Sequence, residues 1–176
     1  LIKNSIPDPS YQKPFVPLNS KETSSQLRCP TGPNAKMAVQ SMNEANQGIN
    51  HKVIETIKLS KGERIIEVGM GNGAFVGRIL NSAVDLDYTG IDWSKTAVEL
   101  AVEKNRDLIE SGAARFINAS SEAIPCRHES FEVAIAIHTI YFWKQPVLHL
   151  REMKRVLSPS GRICLCFGDK DIMQTL

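Results

Sequence analysis

The pattern of apolar and polar positions divides the chain into two unequal stretches. Residues 1–33 have neither helical nor strand periodicity. Six prolines (Pro7, Pro9, Pro14, Pro17, Pro30 and Pro33) stand there among Ser, Asn, Lys and Thr, which predicts an extended arm. From Asn34 apolar residues return at steps of three and four: Ala38, Met42, Ala45, Ile49 and Val53, with Ile54 and Ile57 widening the stripe. This spacing predicts an amphipathic helix over 34–58, which Ser60, Lys61 and Gly62 bring to an end.

After Gly62, short apolar runs alternate with amphipathic stretches, the pattern of βαβ units around a parallel sheet. Strands are predicted at 64–68, 87–92, 115–119, 131–138 and 162–167, and helices at 74–80, 95–110 and 146–157. The fourth strand is almost continuously apolar, so both its faces are expected to be buried. Ser94 suits a helix N-cap, Gly112 a helix end, and Pro146 a first helical turn. Ser158-Pro159-Ser160-Gly161 predicts the turn into the fifth strand. The fold class is α/β, with one domain over 34–176 that comprises a lid helix at 34–58 and a binding core at 62–168.

Composition narrows the function classes. The 176 residues are 42% hydrophobic, enough for one sizeable core. A net charge of +2 with acids and bases interspersed gives little field to gather nucleic acid or anionic lipid, although a tRNA or rRNA substrate retains some room. The longest apolar run falls well short of the roughly 20 residues a membrane helix needs, so no membrane span is expected. The four cysteines show no metal-ligand pairing and no secretory signal accompanies them, which fits a cytoplasmic setting. Cys164 and Cys166 alternate along a strand and are expected on one face as small hydrophobes.

The candidate chemistry begins at Glu67-Val68-Gly69-Met70-Gly71-Asn72-Gly73, between the first strand and a helix. Glycines there permit a tight turn and close approach of a ligand to the backbone. Gly69-x-Gly71-x-x-Ala74, with Asp92 about 20 residues on, also satisfies a dinucleotide fingerprint, which keeps an NAD-linked oxidoreductase as an alternative. Glu67 argues against it: a carboxylate there would repel a pyrophosphate and attract a cationic ligand. The plainer reading of Glu67 is an ion pair with a nearby Arg or Lys. Asp92 closes the second strand, where it can accept hydrogen bonds from ribose hydroxyls or simply serve a helix start.

In this order these segments resemble class I S-adenosylmethionine-dependent methyltransferases. Glu67-x-Gly69-x-Gly71-x-Gly73 and Asp92 are similar to the first two motifs, and Ser120-Ser121-Glu122-Ala123-Ile124-Pro125 to the third. Phe131 to His138 is similar to the fourth, and Leu150-x-Glu152-Met153-x-Arg155-Val156-Leu157-Ser158-Pro159-x-Gly161 to the helix and turn before the fifth strand. Thr139-Ile140-Tyr141-Phe142-Trp143 and Met42-Asn43-x-x-Asn46 look like the small-molecule methyltransferases of quinone biosynthesis.

The resemblance implies a Rossmann-like sheet in the order 3-2-1-4-5 and the cofactor S-adenosyl-L-methionine. It further implies a cofactor site of Glu67, Gly69, Gly71, Asn72, Gly73, Asp92, Trp93, Ser120, Ser121 and His138, and a small-molecule acceptor. His138 and Tyr141, at the carboxyl end of the fourth strand, are the candidate catalytic groups. Local packing of His138 and a wall position for Tyr141 is the competing reading, and His51, His128 and His149 receive no role. A methyltransferase-like module that binds cofactor without turnover stands as a third alternative.

Two departures accompany the resemblance. Ser120 stands where the third motif usually has an Asp for the adenine amino group, so that contact is expected to move to Ser121, Glu122 or the backbone. The chain also starts without Met and stops at Leu176, before the two strands that close the family's sheet. It is therefore expected to be a fragment in which 169–176 begins a further helix. The fifth-strand edge, Ile163 to Phe167, is expected to pair with a neighbouring chain, with self-association through that edge or the N-terminal arm, or to have lost its partner strands; an edge covered by the chain's own arm would instead make this a compact variant of the fold.

Overall fold

The computed structural model describes residues 35–168. The Pro-rich arm, Cys29 and the helix predicted after Asp169 lie outside the described residues. Within them, the elements in chain order are α1 (Ala35–Ile57), β1 (Arg64–Val68), α2 (Val76–Leu80), β2 (Asp87–Asp92), α3 (Lys95–Lys104), α4 (Arg106–Glu110), β3 (Ala114–Asn118), β4 (Phe131–Ile137), α5 (Pro146–Val156) and β5 (Leu157–Cys166). A short 3-10 turn, Ile140–Phe142, joins β4 to α5.

Among the described residues the strands form one parallel sheet in the order β3-β2-β1-β4-β5, as the resemblance implied. Side chains alternate along each strand, so the sheet builds a core on each face. Ile65, Tyr88, Val133 and Ile135 pack under Val53 and Ile57 of α1, Val76 and Ile79 of α2, and Val98 and Ala101 of α3. Ile66, Val68, Ile91, Ala134 and Ala136 pack with Ile124, Trp143 and, from α5, Met153 and Val156. At the amino ends of the strands Arg64 pairs with Glu132 at 2.6 Å, and Arg162 with Glu63 at 2.6 Å. Between β1 and β4 the order reverses direction, which opens a crevice at the carboxyl ends of the strands.

Several boundaries differ from the predicted ones for local reasons. The helix expected at 74–80 starts at Val76, because the turn that follows Gly73 takes up Ala74 and Phe75. The helix expected over 95–110 is broken at Asn105 (φ −116°, ψ 33°). The Asn105 amide donates to Ala101 O at 2.9 Å and Gly73 O at 3.2 Å, and so ties α3 to the glycine loop. β3 runs one residue earlier than predicted. β4 stops at Ile137 because His138 adopts φ +56°, outside strand geometry.

The expected turn Ser158-Pro159-Ser160-Gly161 does not precede the last strand. β5 begins at Leu157 opposite Phe131, and the next pair is Val133 with Arg162, so these four residues bulge out of the ladder. Ser94 caps α3 by accepting from Ala97 N, and Gly112, at φ +76°, follows the end of α4. Cys164 and Cys166 both pack, half-buried, against one core, and burial pushes their thiols up. Ile163 on the outer strand is 38% exposed, and Phe167, just past its end, 48%. Among the described residues no helix is long and apolar enough to cross a membrane.

Candidate active site

The crevice is a cleft of about 410 Å³. Its walls come from the glycine loop after β1, the ends of β2 and β4, the segment 119–122 after β3, and Met42, Asn43, Asn46 and Asn50 of α1.

The glycine loop is set by packing. Gly69 has φ +73°, and a Cβ there would overlap Thr139 Cγ2, so both conformation and space require glycine. Four of the loop's amides are engaged internally. Gly69 N and Met70 N donate to Ile91 O at 2.8 and 3.4 Å, and Gly73 N donates to Met70 O at 3.2 Å. Gly71 N donates to Asp92 Oδ2 at 3.0 Å. Asp92 Oδ1 accepts from Ser94 N at 2.8 Å, so the acid that closes β2 buttresses both the loop and the start of α3. With backbone donors from Gly71, Ser94 and Trp93 the carboxylate's roughly four lone pairs are not all used, which leaves room for a ligand. Burial raises the Asp92 pKa, and these amide bonds oppose the shift.

Glu67 is 6% exposed, and its partner is Tyr88, whose hydroxyl donates to Oε2 at 2.6 Å, rather than an Arg or Lys. Gly90 lies opposite Glu67 in the β1–β2 register, where a Cβ would stand 2.6 Å from Met70 Cγ and 3.1 Å from Tyr88 Cε1. The missing side chain leaves space for Tyr88 to reach the carboxylate. Burial pushes the Glu67 pKa up to about 7; the Tyr88 bond opposes this and the Asp92 charge adds to it.

His138 lines the cleft, with Nδ1 3.3 Å from Tyr141 Oη. Burial holds its ring below the ordinary histidine range. Tyr141 is not on the cleft wall: it is 40% exposed, its hydroxyl accepts from Gly168 N, and it borders the wall residues His138 and Phe142. Phe142 and Trp143 are wall residues, and Trp93, 58% exposed, forms part of the rim. Ser120 Oγ accepts from Glu122 N at 3.2 Å.

Ser121 Oγ lies 2.7 Å from Nδ1 of His149, a residue to which sequence spacing gave no role. His149 is buried, lines the cleft and stacks on Trp143 with ring centroids 4.7 Å apart and planes 7° from parallel. It occupies the buried stripe of α5 with Met153 and Val156. A titratable side chain on the apolar face of a helix was the signal available in the sequence. Asn72 Oδ1, Thr139 Oγ1 and His149 Nε2 are buried cleft atoms without a hydrogen-bond partner, which marks them as groups for a ligand to satisfy.

A family model described as a methyltransferase domain matches residues 66–165. The chain is 25% identical over 126 residues to the uncharacterized methyltransferase YdaC of Bacillus subtilis, covering 72% of this chain and 67% of that one. It is 29% identical over 121 residues to an O-methyltransferase of Pyrenophora dematioidea, covering 69% of this chain and 45% of the relative. Several such relatives are matched over only about half their length. Among solved structures, the [4+2]-cyclase SpnF is 26% identical with a TM-score of 0.63, covering 69% of this chain and 44% of that one. A SAM-dependent methyltransferase from Aquifex aeolicus shares the fold at 18% identity and a TM-score of 0.65, covering 77% of this chain and 72% of its own. With the glycine loop and the acid closing β2 inside the matched span, and nearly all of the 3-2-1-4-5 sheet within it, the chain belongs to the methyltransferase domain family.

Proposed function

We propose that this chain binds S-adenosyl-L-methionine in the cleft and transfers its methyl group to a small-molecule acceptor. The carrying observation is the state of the glycine loop, whose amides at Gly69, Met70, Gly71 and Gly73 are spent on protein oxygens. A pyrophosphate needs those donors and would meet Glu67 and Asp92 instead, which argues against NAD. Among the described residues the wall carries Glu67, Asp92 and Glu122 against a single lysine, Lys144, a balance suited to a cationic ligand without phosphate. Glu67 and the unpartnered Asn72 Oδ1 are buried acceptors, so the residues present fit such a group.

When bound, S-adenosyl-L-methionine supplies an electrophilic methyl on a sulfonium. The protein's task is then chiefly orientation, which can contribute roughly 7–11 kcal/mol to a displacement of this kind. In this reading Gly69 and Gly71 allow close approach, Asp92 takes the ribose hydroxyls, and α1 serves as a partial lid through Asn43 and Asn46. His138, neutral at pH 7, takes a proton from an acceptor that must lose one. We expect Asp92→Ala to weaken binding of S-adenosylhomocysteine by about 1.5–3 kcal/mol. Glu67→Gln should weaken it too while leaving the fold intact. Unchanged affinity in both variants would show that the site lies elsewhere.

A second reading, cofactor binding without methyl transfer, has support in the likeness to SpnF, a cyclase on this fold. Methyl transfer from labelled cofactor to a panel of small phenols, amines and acidic carbon compounds separates the two.

A further inference from the structure

We propose that the outward face of α5 is a docking surface for an anionic lipid bilayer, which sets the chain on the membrane with the mouth of the cleft beside the headgroups. The surface lies outside the cleft, so the proposal does not rest on the cofactor reading above.

The helix sorts its residues by spacing. His149, Met153 and Val156 recur at steps of four and three and are buried against the sheet. On the other side stand Val147, Leu148, Arg151 and Lys154, again three and four apart, with Lys144 just before the first turn. All five are exposed, and the aliphatic pair is open to solvent, Val147 at 59% and Leu148 at 38%. The one acid of α5, Glu152, is engaged elsewhere: it pairs with Arg155 at 2.7 Å and accepts from Ile124 N at 2.8 Å. Arg155 is likewise committed, to Cys126 O and Ile124 O. The stripe that remains has three cations, two aliphatic side chains and no acid. The net charge of +2 over the whole chain conceals this local separation.

These two kinds of side chain in one stripe select the partner. Anionic headgroups attract the bases, and each base held near such a surface strengthens binding roughly fivefold. Lys and Arg stems lie along apolar surface while their heads reach phosphate, which lets Val147 and Leu148 enter the acyl boundary. A polynucleotide would meet the same bases, but it would press its phosphates on the aliphatic pair, and the stripe has no aromatic side chain on which a base could stack. A second copy placed by a two-fold axis on this face would bring like charges together. The stripe also has a fixed place relative to the cleft. Val147 and Leu148 are on the first turn of α5, which directly follows the cleft-wall residues Phe142, Trp143 and Lys144. Tyr141, exposed and edge-on to Phe142 with centroids 6.4 Å apart, adds an amphipathic ring of the kind that settles at headgroup level.

The test is sedimentation of the whole chain, without cofactor, with vesicles of phosphatidylcholine alone and of phosphatidylcholine with about one-third phosphatidylserine. Unmodified protein should bind the anionic vesicles at least about tenfold more tightly than the neutral ones and lose that preference as salt is raised. Arg151→Gln with Lys154→Gln should weaken binding to the anionic vesicles by about twentyfold, the effect of two bases. Val147→Gln with Leu148→Gln should weaken it by about tenfold and leave its salt dependence unchanged. Glutamine suits a helix and none of the four positions lines the cleft, so circular dichroism of both pairs should match that of the unmodified chain. Lys104→Gln with Arg106→Gln removes the same charge from α3 and α4, on the opposite face of the sheet, and should leave vesicle binding unmoved. Absence of the unmodified chain from the anionic vesicle pellet overturns the proposal. Equal weakening by the α3 and α4 pair also overturns it, because the attraction would then belong to the whole molecule. Binding kept in full by both α5 pairs does the same. Binding of a mixed-sequence RNA that the α5 pairs weaken, with no vesicle binding, overturns it in favour of nucleic acid at this face.

Discussion

Burying a carboxylate without a cation shifts it toward its protonated form, and Glu67 shows that effect with a pKa pushed up to about 7 from an ordinary 4.5. Folded protein therefore holds one more proton than unfolded protein between those values, and stability falls as pH rises through that window. The full shift corresponds to on the order of 3 kcal/mol. Glu63, Glu132 and Glu152 are held low by Arg162, Arg64 and Arg155, so their contribution has the opposite sign and is lost only in more acidic solution. Glu67→Gln keeps an oxygen for Tyr88 but removes the titration. Urea unfolding of both proteins at pH 5 and pH 7 should show the variant gaining on the unmodified chain at the higher pH; a parallel response would mean Glu67 does not titrate there. At this scale Glu67, Gly69 and Gly71 were legible because they follow one another through one turn, and Asp92, 21 positions beyond Gly71, because it closes the strand that pairs with β1. His149 was not, since its partner Ser121 is 28 positions away and only the β3-to-α5 packing brings them together.

The lid reading belongs to the element scale. α1 presents Met42, Asn43, Asn46 and Asn50 to the cleft while Val53 and Ile57 sit in the core, so one end of the helix is fixed and the other borders the ligand space. Asn50 satisfies itself on Asn46 O at 2.9 Å, which leaves Asn43 and Asn46 as the polar groups available there. Amide exchange across residues 39–50 should slow when S-adenosylhomocysteine binds and stay unchanged across 53–57. Equal protection with and without ligand would make α1 a plain structural helix. Strand limits at 64–68 and 87–92 were readable from their apolar runs to the residue. The break at Asn105 and the bulge at 158–161 were not, because each depends on a partner distant in sequence: Gly73 O for the first and the β4 register for the second.

At the scale of the whole molecule, the parallel order places every chemistry-bearing loop at one end of the sheet and the Arg64–Glu132 and Arg162–Glu63 pairs at the other. That polarity was implied by the alternation of strands and helices, and it explains why residues as distant as Asn43, Glu67, Asp92, Ser121 and His138 border one cleft. It does not by itself choose the cofactor, since dinucleotide enzymes use the same crevice. The choice rests on the four glycine-loop amides committed to protein oxygens and on the acidic wall. The most direct measurement is titration of the whole chain with S-adenosylhomocysteine and, separately, with NADH in a calorimeter at pH 7.5. We expect saturable binding of S-adenosylhomocysteine and no measurable heat from NADH beyond dilution; binding of NADH with none of S-adenosylhomocysteine would contradict the assignment of this cleft.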